Sequence, residues 1–270
     1  PLLARDPTAA ALLLRELPAA SEGLAGMRRQ VLAQPLTRFR VHTRELQALW
    51  FDAAGDLWLV DAVGTRRHDS SGRPRAPGGA GEPPSPPARL DPSAGLWPAP
   101  DGGKPLRLTL GRLTLGRQRL PEHDGELTAL AWSPDGQHIA VAGAQVLVWD
   151  RRGVLRARDA GHEGTVRSLR WSPAGDRLLI GGDDGQARII HIGRDPSREP
   201  RVLRGHDAAI TELAWHPAGD LVATAASDGS VRVWSLVPGA AARIDHPGAV
   251  QDLRWQPGGA RLATAGDDGK

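Results

Sequence analysis

His206, Thr224 and Asp228 bring together the side-chain types of a hydrolytic triad: an imidazole base, a hydroxyl and an acid to orient the ring. His246, Thr264 and Asp268 repeat the set, and His162 with Asp184 repeats two parts of it. A triad is defined by geometry and role, and an enzyme needs one site rather than several partial copies. Recurrence therefore favours a structural role. The histidines make a poor metal site, because ligands about forty residues apart in separate modules do not converge. Asp183-Asp184-Gly185 and Asp267-Asp268-Gly269 lack the alternating acids and terminal glutamate of a calcium loop, so turn chemistry explains them. No glycine-rich loop ending in Lys-Ser/Thr is present to cradle a phosphate. The absence of cysteine excludes disulfide scaffolds, thiolate zinc sites and a cysteine nucleophile. No catalytic residue, metal or cofactor is expected.

What must position these side chains is a repeat. Leu130-Ala-Trp-Ser-Pro-Asp-Gly136 recurs as Leu169-Arg-Trp-Ser-Pro-Ala-Gly175, Leu213-Ala-Trp-His-Pro-Ala-Gly219 and Leu253-Arg-Trp-Gln-Pro-Gly-Gly259. Trp132, Trp171, Trp215 and Trp255 are spaced by 39, 44 and 40 residues, and His123, His162, His206 and His246 each stand nine residues earlier. A fixed period of this length signals stacked or radial repeats. The same ruler reaches upstream to His42 and Phe51, and then to Leu90-Asp-Pro-Ser-Ala-Gly-Leu-Trp97. With an anchor at Leu90, the second module needs a strand over 82–90. Pro83, Pro84, Pro86 and Pro87 make that strand an edge or prevent it. The alternative is one module interrupted by a flexible Pro/Gly insert over 70–88. The prolines are compatible with a polyproline ligand, and more simply with a loop.

Within a module the pattern is short strands and tight turns. Ile210 to Trp215, Leu221 to Ala225 and Val231 to Trp234 read as strands. Pro217–Asp220 and Ser227-Asp-Gly229 read as turns between them. A fourth strand falls at Arg201–Arg204, just before the next histidine. Four strands per repeat make a propeller blade, which needs neighbours to cover both sheet faces. The N-terminus reads differently. Asp6-Pro7 looks like a helix start followed by Leu13, Leu14 and Leu17, and a second helix is expected from Ser21 to Ala33. This gives a helical preface over 1–35 and a propeller over 36–270, degenerate over 36–120 and clear over 121–270. Pro35–Val41 matches the fourth-strand position and is expected to belong to the blade that closes the ring.

The bulk numbers agree with a folded protein. Forty per cent hydrophobic residues suffices for a core. The isoelectric point of 10.3 suggests nucleic acid, but the net charge is only +3. With no Tyr or Cys and only Lys104 and Lys270, almost nothing titrates between histidine and arginine. Acids and bases are interspersed, so no nucleic-acid partner is expected. No apolar run approaches the roughly 20 residues of a membrane helix.

The order Gly-His, apolar strand, Trp-Ser-Pro-Asp-Gly, Ser/Thr-bearing strand, Asp-Gly and Trp-Asp resembles the WD40 repeat family. It is carried here by Gly205-His206, Trp215–Gly219, Thr224, Asp228-Gly229 and Trp234-Ser235. The resemblance implies an all-β propeller of four-stranded blades: five in this chain and about half of a sixth, since the chain stops at Lys270 before the last third strand. Closed WD40 rings usually have seven, so a fragment of a longer protein is expected. It also implies a buried His–Ser/Thr–Asp–Trp network inside each blade, complete only in His206, Thr224, Asp228 and Trp234. His123 keeps Trp149 without an Asp-Gly turn. His162 keeps Asp184 but has Ile180 and Ile190 at the Thr and Trp positions, so Asp184 is expected to matter less than Asp228.

The family binds partners on the face carrying the Gly-His and Asp-Gly loops. By position, Asp183, Ser227 and Asp267 in the loops and Glu126, Arg167, Thr211 and Gln251 at the strand starts are candidates to contact other proteins or peptides. The helical preface resembles segments preceding WD40 arrays in large bacterial kinases and STAND-type NTPases. A non-catalytic, cytoplasmic interaction or sensory module of a bacterial signalling protein is the leading expectation. An enzymatic propeller of the TolB or lactonase type is the rival, and so is a catalytic domain elsewhere in a longer protein.

Overall fold

The computed structural model describes residues 11–16, 38–42, 48–52, 55–61, 64–69, 73–75, 96–97, 104–109, 112–120, 127–193, 199–237 and 242–267. Every regular element among them is a strand. In chain order these are β1 (Ala11–Glu16), β2 (Arg38–His42), β3 (Ala48–Phe51), β4 (Leu57–Asp61), β5 (Gly64–His68) and β6 (Pro74–Arg75). Next come β7 (Leu96–Trp97), β8 (Leu106–Thr109), β9 (Arg112–Leu115), β10 (Gln118–Arg119), β11 (Ala129–Trp132), β12 (His138–Ala142), β13 (Val146–Asp150) and β14 (Leu155–Asp159). The remainder are β15 (Val166–Trp171), β16 (Arg177–Gly182), β17 (Ala187–His191), β18 (Arg201–Leu203), β19 (Ile210–Trp215), β20 (Leu221–Ala226), β21 (Ser230–Ser235), β22 (Ala242–Asp245), β23 (Val250–Trp255) and β24 (Arg261–Gly266).

The chain divides into two compact units, one of Pro1–Ala88 with His216–Lys270 and one of Arg89–Trp215. In the second unit three antiparallel sheets follow chain order: β7 to β10, β11 to β14 and β15 to β18. The core lies between sheets. Strand β13 alternates strictly, so Leu147 and Trp149 join Leu130, Ile139 and Val141 against Leu106, Leu113 and Leu115 of the preceding sheet. Val146 and Val148, with Ala129, Ala140 and Ala142, face Leu169, Trp171, Leu178 and Ile180 of the following one. The middle sheet thus buries both faces, which a lone four-stranded meander cannot do. The first-strand tryptophans stitch neighbours together: Trp171 Nε1 donates to Ala131 O at 3.0 Å, and Trp215 Nε1 to Arg170 O at 2.9 Å.

The Trp-Ser-Pro turns are built by their serines. Ser133 is fully buried, donates to Asp135 Oδ1 at 2.6 Å and accepts from His138 N at 2.9 Å. Ser172 does the same between Asp176 and Arg177 N.

Four expectations are corrected. The N-terminal leucine run is a strand over Ala11–Glu16, not a helix; the rest of the expected helical preface lies outside the described residues. Strand β1 pairs along its length with β24 and also with β2, giving the sheet order β2-β1-β24-β23. Both edges of this strand are laddered, so its backbone donors and acceptors are paired by its neighbours rather than within a helix. The last module, expected as a half, is therefore a four-stranded sheet whose outer strands come from the N-terminal segment. Strand β2, in the segment expected to supply an outer strand, is the outermost strand of this sheet.

The anchor of the second module also moves. Its sheet begins at β7, so Trp97 rather than Leu90 ends the first strand, and a strand over 82–90 is not needed to count four. Finally, Pro74–Arg75 inside the expected insert pairs with Arg67 and His68 as the fourth strand of the first module. Proline is tolerated there because this is an edge.

Candidate functional site

The histidine positions show what the repeated residues do. In the last module His246 Nε2 and Thr264 Oγ1 lie 2.9 Å apart, with Thr264 fully buried. The hydroxyl is out of reach of any substrate, so the pair cannot act as base and nucleophile. Asp268 lies outside the described residues. In the module of His162, Nδ1 lies 3.0 Å from both Asp184 oxygens, and both side chains are buried. Asp184 also accepts from Glu163 N at 3.2 Å and Gln186 N at 3.1 Å. Burial raises the Asp184 carboxyl, but these hydrogen bonds outweigh it and hold it below its ordinary value. Ile180 stands at the register position of Thr264, each facing the leucine two residues before its Trp. His162 Nε2 is consequently buried without a partner. The aliphatic substitutions remove the hydroxyl and leave the His–Asp pair standing.

His206 belongs to one unit, and Thr224, Asp228 and Trp234 to the other. Within the latter, Trp234 Nε1 donates to Thr224 Oγ1 at 2.9 Å, and Asp228 accepts from Ser230 N and Oγ at 2.8 and 2.6 Å. His123 lies outside the described residues. Trp149, of the same module, is fully buried with Nε1 unpartnered, because Val141 occupies the place of Thr224. This yields a test. Val141→Thr keeps the shape of the side chain and offers the indole an acceptor. A buried hydroxyl usually costs about 1–3 kcal/mol, but here it should be neutral or stabilise by up to about 1 kcal/mol. Denaturant melts check this, and a loss above about 1 kcal/mol would show that the hydroxyl does not reach Nε1.

The candidate contact residues gather at the opposite ends of the strands from the Trp-Ser-Pro turns. The pairing of β15 with β16 skips Arg167, and that of β23 with β24 skips Gln251. Each is the extra residue of a β-bulge, a device that re-aims one side chain. Both are exposed. Re-aimed, Arg167 Nε donates to Asp183, and Gln251 Nε2 donates to Asp267 Oδ2 at 3.1 Å. The Arg167 hydrogen bond holds the Asp183 carboxyl below its ordinary value. Ser227 is exposed at the matching hairpin, and Thr211 is half-buried at a strand start of the other unit. Glu126 lies outside the described residues.

Sequence reasoning missed the charges on the first strands. Glu212 is 2% exposed; its Oε1 accepts from Leu213 N at 2.9 Å and Ser168 Oγ at 3.3 Å, and lies 2.6 Å from Arg170 Nη2. The available signal was an acid in a strand whose counterparts carry Ala129, Ser168 and Asp252. Arg188 forks onto Asp159, with Nε and Nη2 both donating. It is a part-buried tie between the fourth strand of one sheet and the third strand of the next. Among the described residues no three His, Asp or Glu side chains converge to hold a metal.

The family profile for WD domain, G-beta repeat matches residues 116–150, 153–191, 197–235 and 242–270, more than half of the chain. The chain belongs to the WD40 repeat family. The first three WD40 matches start ahead of the fourth strand of one sheet and run through three strands of the next. The last starts on β22 and runs through β23 and β24, ending where β1 takes over the third-strand position. WD40 repeats in general serve as protein–protein interaction modules, and domains of this kind are generally non-catalytic. No curated protein matches the chain. Among the described residues no helix is long and apolar enough to cross a membrane.

Proposed function

We propose that this chain is a protein-interaction or sensory module of a bacterial signalling protein, acting in the cytoplasm. Protein or peptide partners contact the sheet ends of each unit by itself, at Arg167–Asp183 in one and at Gln251–Asp267 and Ser227 in the other. The observation that carries this reading is the repeated bulge. Two modules insert one residue at the same place and set an exposed polar side chain on a hairpin acid. Ladder continuity is given up there for a re-aimed side chain, which is typical of functional edges. Polar pairs at exposed ends contribute little stability, so they are available for recognition. Abundant Arg, Ala, Gly and Pro with only two lysines fits a GC-rich bacterial genome.

The test is a displayed peptide library selected on the chain and re-measured on an Arg167→Ala/Gln251→Ala variant. Most selected binders should weaken about tenfold, or roughly 1.4 kcal/mol. The melt should move by no more than about 0.5 kcal/mol. Binders that ignore both substitutions would place the contact surface elsewhere.

A further inference from the structure

The Trp-Ser-Pro turns lie at the other end of the sheets, and a repeated contact forms beside them. His138 and Arg177 each stand six residues after the first-strand tryptophan of their own module. Each is set by its turn serine, His138 N donating to Ser133 Oγ at 2.9 Å and Arg177 N to Ser172 Oγ at 3.0 Å. Each side chain then lies on the first-strand tryptophan of the following module. The His138 ring stacks on Trp171 with centroids 5.9 Å apart, and the Arg177 guanidinium lies 4.7 Å from the centre of the Trp215 ring. One position thus carries a permanent cation in one module and a titratable ring in the other. We propose that His138 on Trp171 is an acid-sensitive clasp. The neutral ring closes this end of the seam between the sheet β11 to β14 and the sheet β15 to β18, and its protonation loosens it.

The surroundings of the ring decide the sign. A cavity of about 410 Å³ opens beside it at the seam. The ring's own sheet lines this cavity with Asp150, Arg151, Arg152 and Arg156, and the next sheet presents the uncharged Ile192 and Gly193. His138 Nδ1 is buried without a partner. A neutral ring can leave that nitrogen unprotonated, whereas an imidazolium carries a proton on both nitrogens and has no acceptor here for the inner one. The charges acting on the ring are Asp135 in the turn before β12, Asp150 opposite it on β13 and Arg156 on β14. Burial is the largest influence and lowers the pKa of the ring; Asp135 and Asp150 raise it, and Arg156 lowers it again. Burial and Arg156 outweigh the two carboxylates, so the ring is neutral when the seam is closed.

Asp135 and Asp150 keep their charge over the range in which histidine titrates. Burial raises both carboxyls, but hydrogen bonds from Ser133 and Gln137 N to Asp135, and from Val154 N and Arg156 to Asp150, hold both below their ordinary value. A solvated histidine titrates near pH 6.5. The ring's pKa is lower in the closed seam, so the open seam binds more protons. The clasp is therefore at full strength above about pH 6.5 and weakens as pH falls toward the closed-seam value. Arg177 stays charged throughout, so its contact with Trp215 does not respond. Each tryptophan reports on its own contact, because Trp171 Nε1 donates to Ala131 O at 3.0 Å and Trp215 Nε1 to Arg170 O at 2.9 Å.

The test is indole N–H exchange in the full chain, followed by NMR and corrected for the intrinsic effect of pH. Trp171→Phe and Trp215→Phe identify the two signals. Between pH 7.5 and pH 5.5 protection at Trp171 should fall about fivefold or more, while protection at Trp215 holds. The His138 ring signal should titrate over the same range. His138→Phe keeps a flat ring on Trp171 without a titrating nitrogen and should abolish the response. His138→Gln, smaller and also neutral, makes the same comparison if the phenyl ring is not accommodated. Arg167→Ala, at the opposite sheet ends, should leave the response unchanged. Equal losses at Trp171 and Trp215 would reveal general acid weakening and overturn the clasp. So would a response that survives in both His138 variants, or a parent in which Trp171 stays protected at pH 5.5.

Discussion

Asp184→Ala should destabilise the protein by about 3 kcal/mol, well beyond an ordinary turn substitution. The carboxylate is the acceptor for His162 Nδ1, Glu163 N and Gln186 N. Nε2 of the same ring is already unpartnered, so removing Asp184 strands the whole imidazole in the interior. Leaving a buried donor unmet costs about 1–3 kcal/mol, and more where the lost partner was charged. Asp184→Asn retains an acceptor and should cost about 1 kcal/mol. The pH dependence follows with a definite sign. The folded carboxyl lies below its ordinary value, so its contribution is present above an unfolded pKa of about 3.9 and disappears as pH falls through the folded value. Between pH 5 and pH 3 the wild type should lose stability more steeply than Asp184→Asn. Urea melts across that range read both quantities, and parallel acid slopes would show that the carboxylate is not favoured by folding. Sequence reasoning ranked Asp184 below Asp228 because two isoleucines flank it. The geometry removes the basis for that ranking, since the isoleucines displace the hydroxyl and the indole but not the carboxylate.

Gly229→Ala should be at least as damaging, on the order of 3–4 kcal/mol. Gly229 has φ +80°, a conformation in which a side chain is strained. An added Cβ would lie 2.5 Å from His246 O and 3.0 Å from Gly248 O. Both are backbone atoms and cannot rotate away. The loop they belong to is held by His246 N donating to Gly229 O at 2.8 Å, so the clash falls on the contact that docks one hairpin on the next module. Gly258 is the control: nothing lies within 4 Å of its added Cβ, and Gly258→Ala should stay within about 0.5 kcal/mol. If the two alanine variants melt together, the hairpin does not pack as described.

The repeat, the strand content and the Trp-Ser-Pro turns were legible from the residues because each is local. Alternation over Val146–Asp150 sets which face each side chain takes, and a serine two residues before an acid closes a turn without outside help. The positions of Arg167, Asp183, Gln251 and Asp267 were legible for the same reason, since they ride on the repeat. Their pairing was not, because a bulge is a property of two strands in register and neither strand announces it.

Other features depended on partners far along the chain. Ala11–Glu16 has no local signal that separates helix from strand, and a proline near its start favours the helix reading. Its state is settled by β24, where Leu13 lies opposite Thr264, about 250 residues away, on an edge that would otherwise be unpaired. The anchor of the second module moved from Leu90 to Trp97 because four strands must share one ladder, and two similar motifs seven residues apart compete for it in the sequence alone. The buried Glu212 is the extreme case: its hydrogen-bond partner Ser168 stands 44 residues away, and only the packing of one first strand on the next brings the two together.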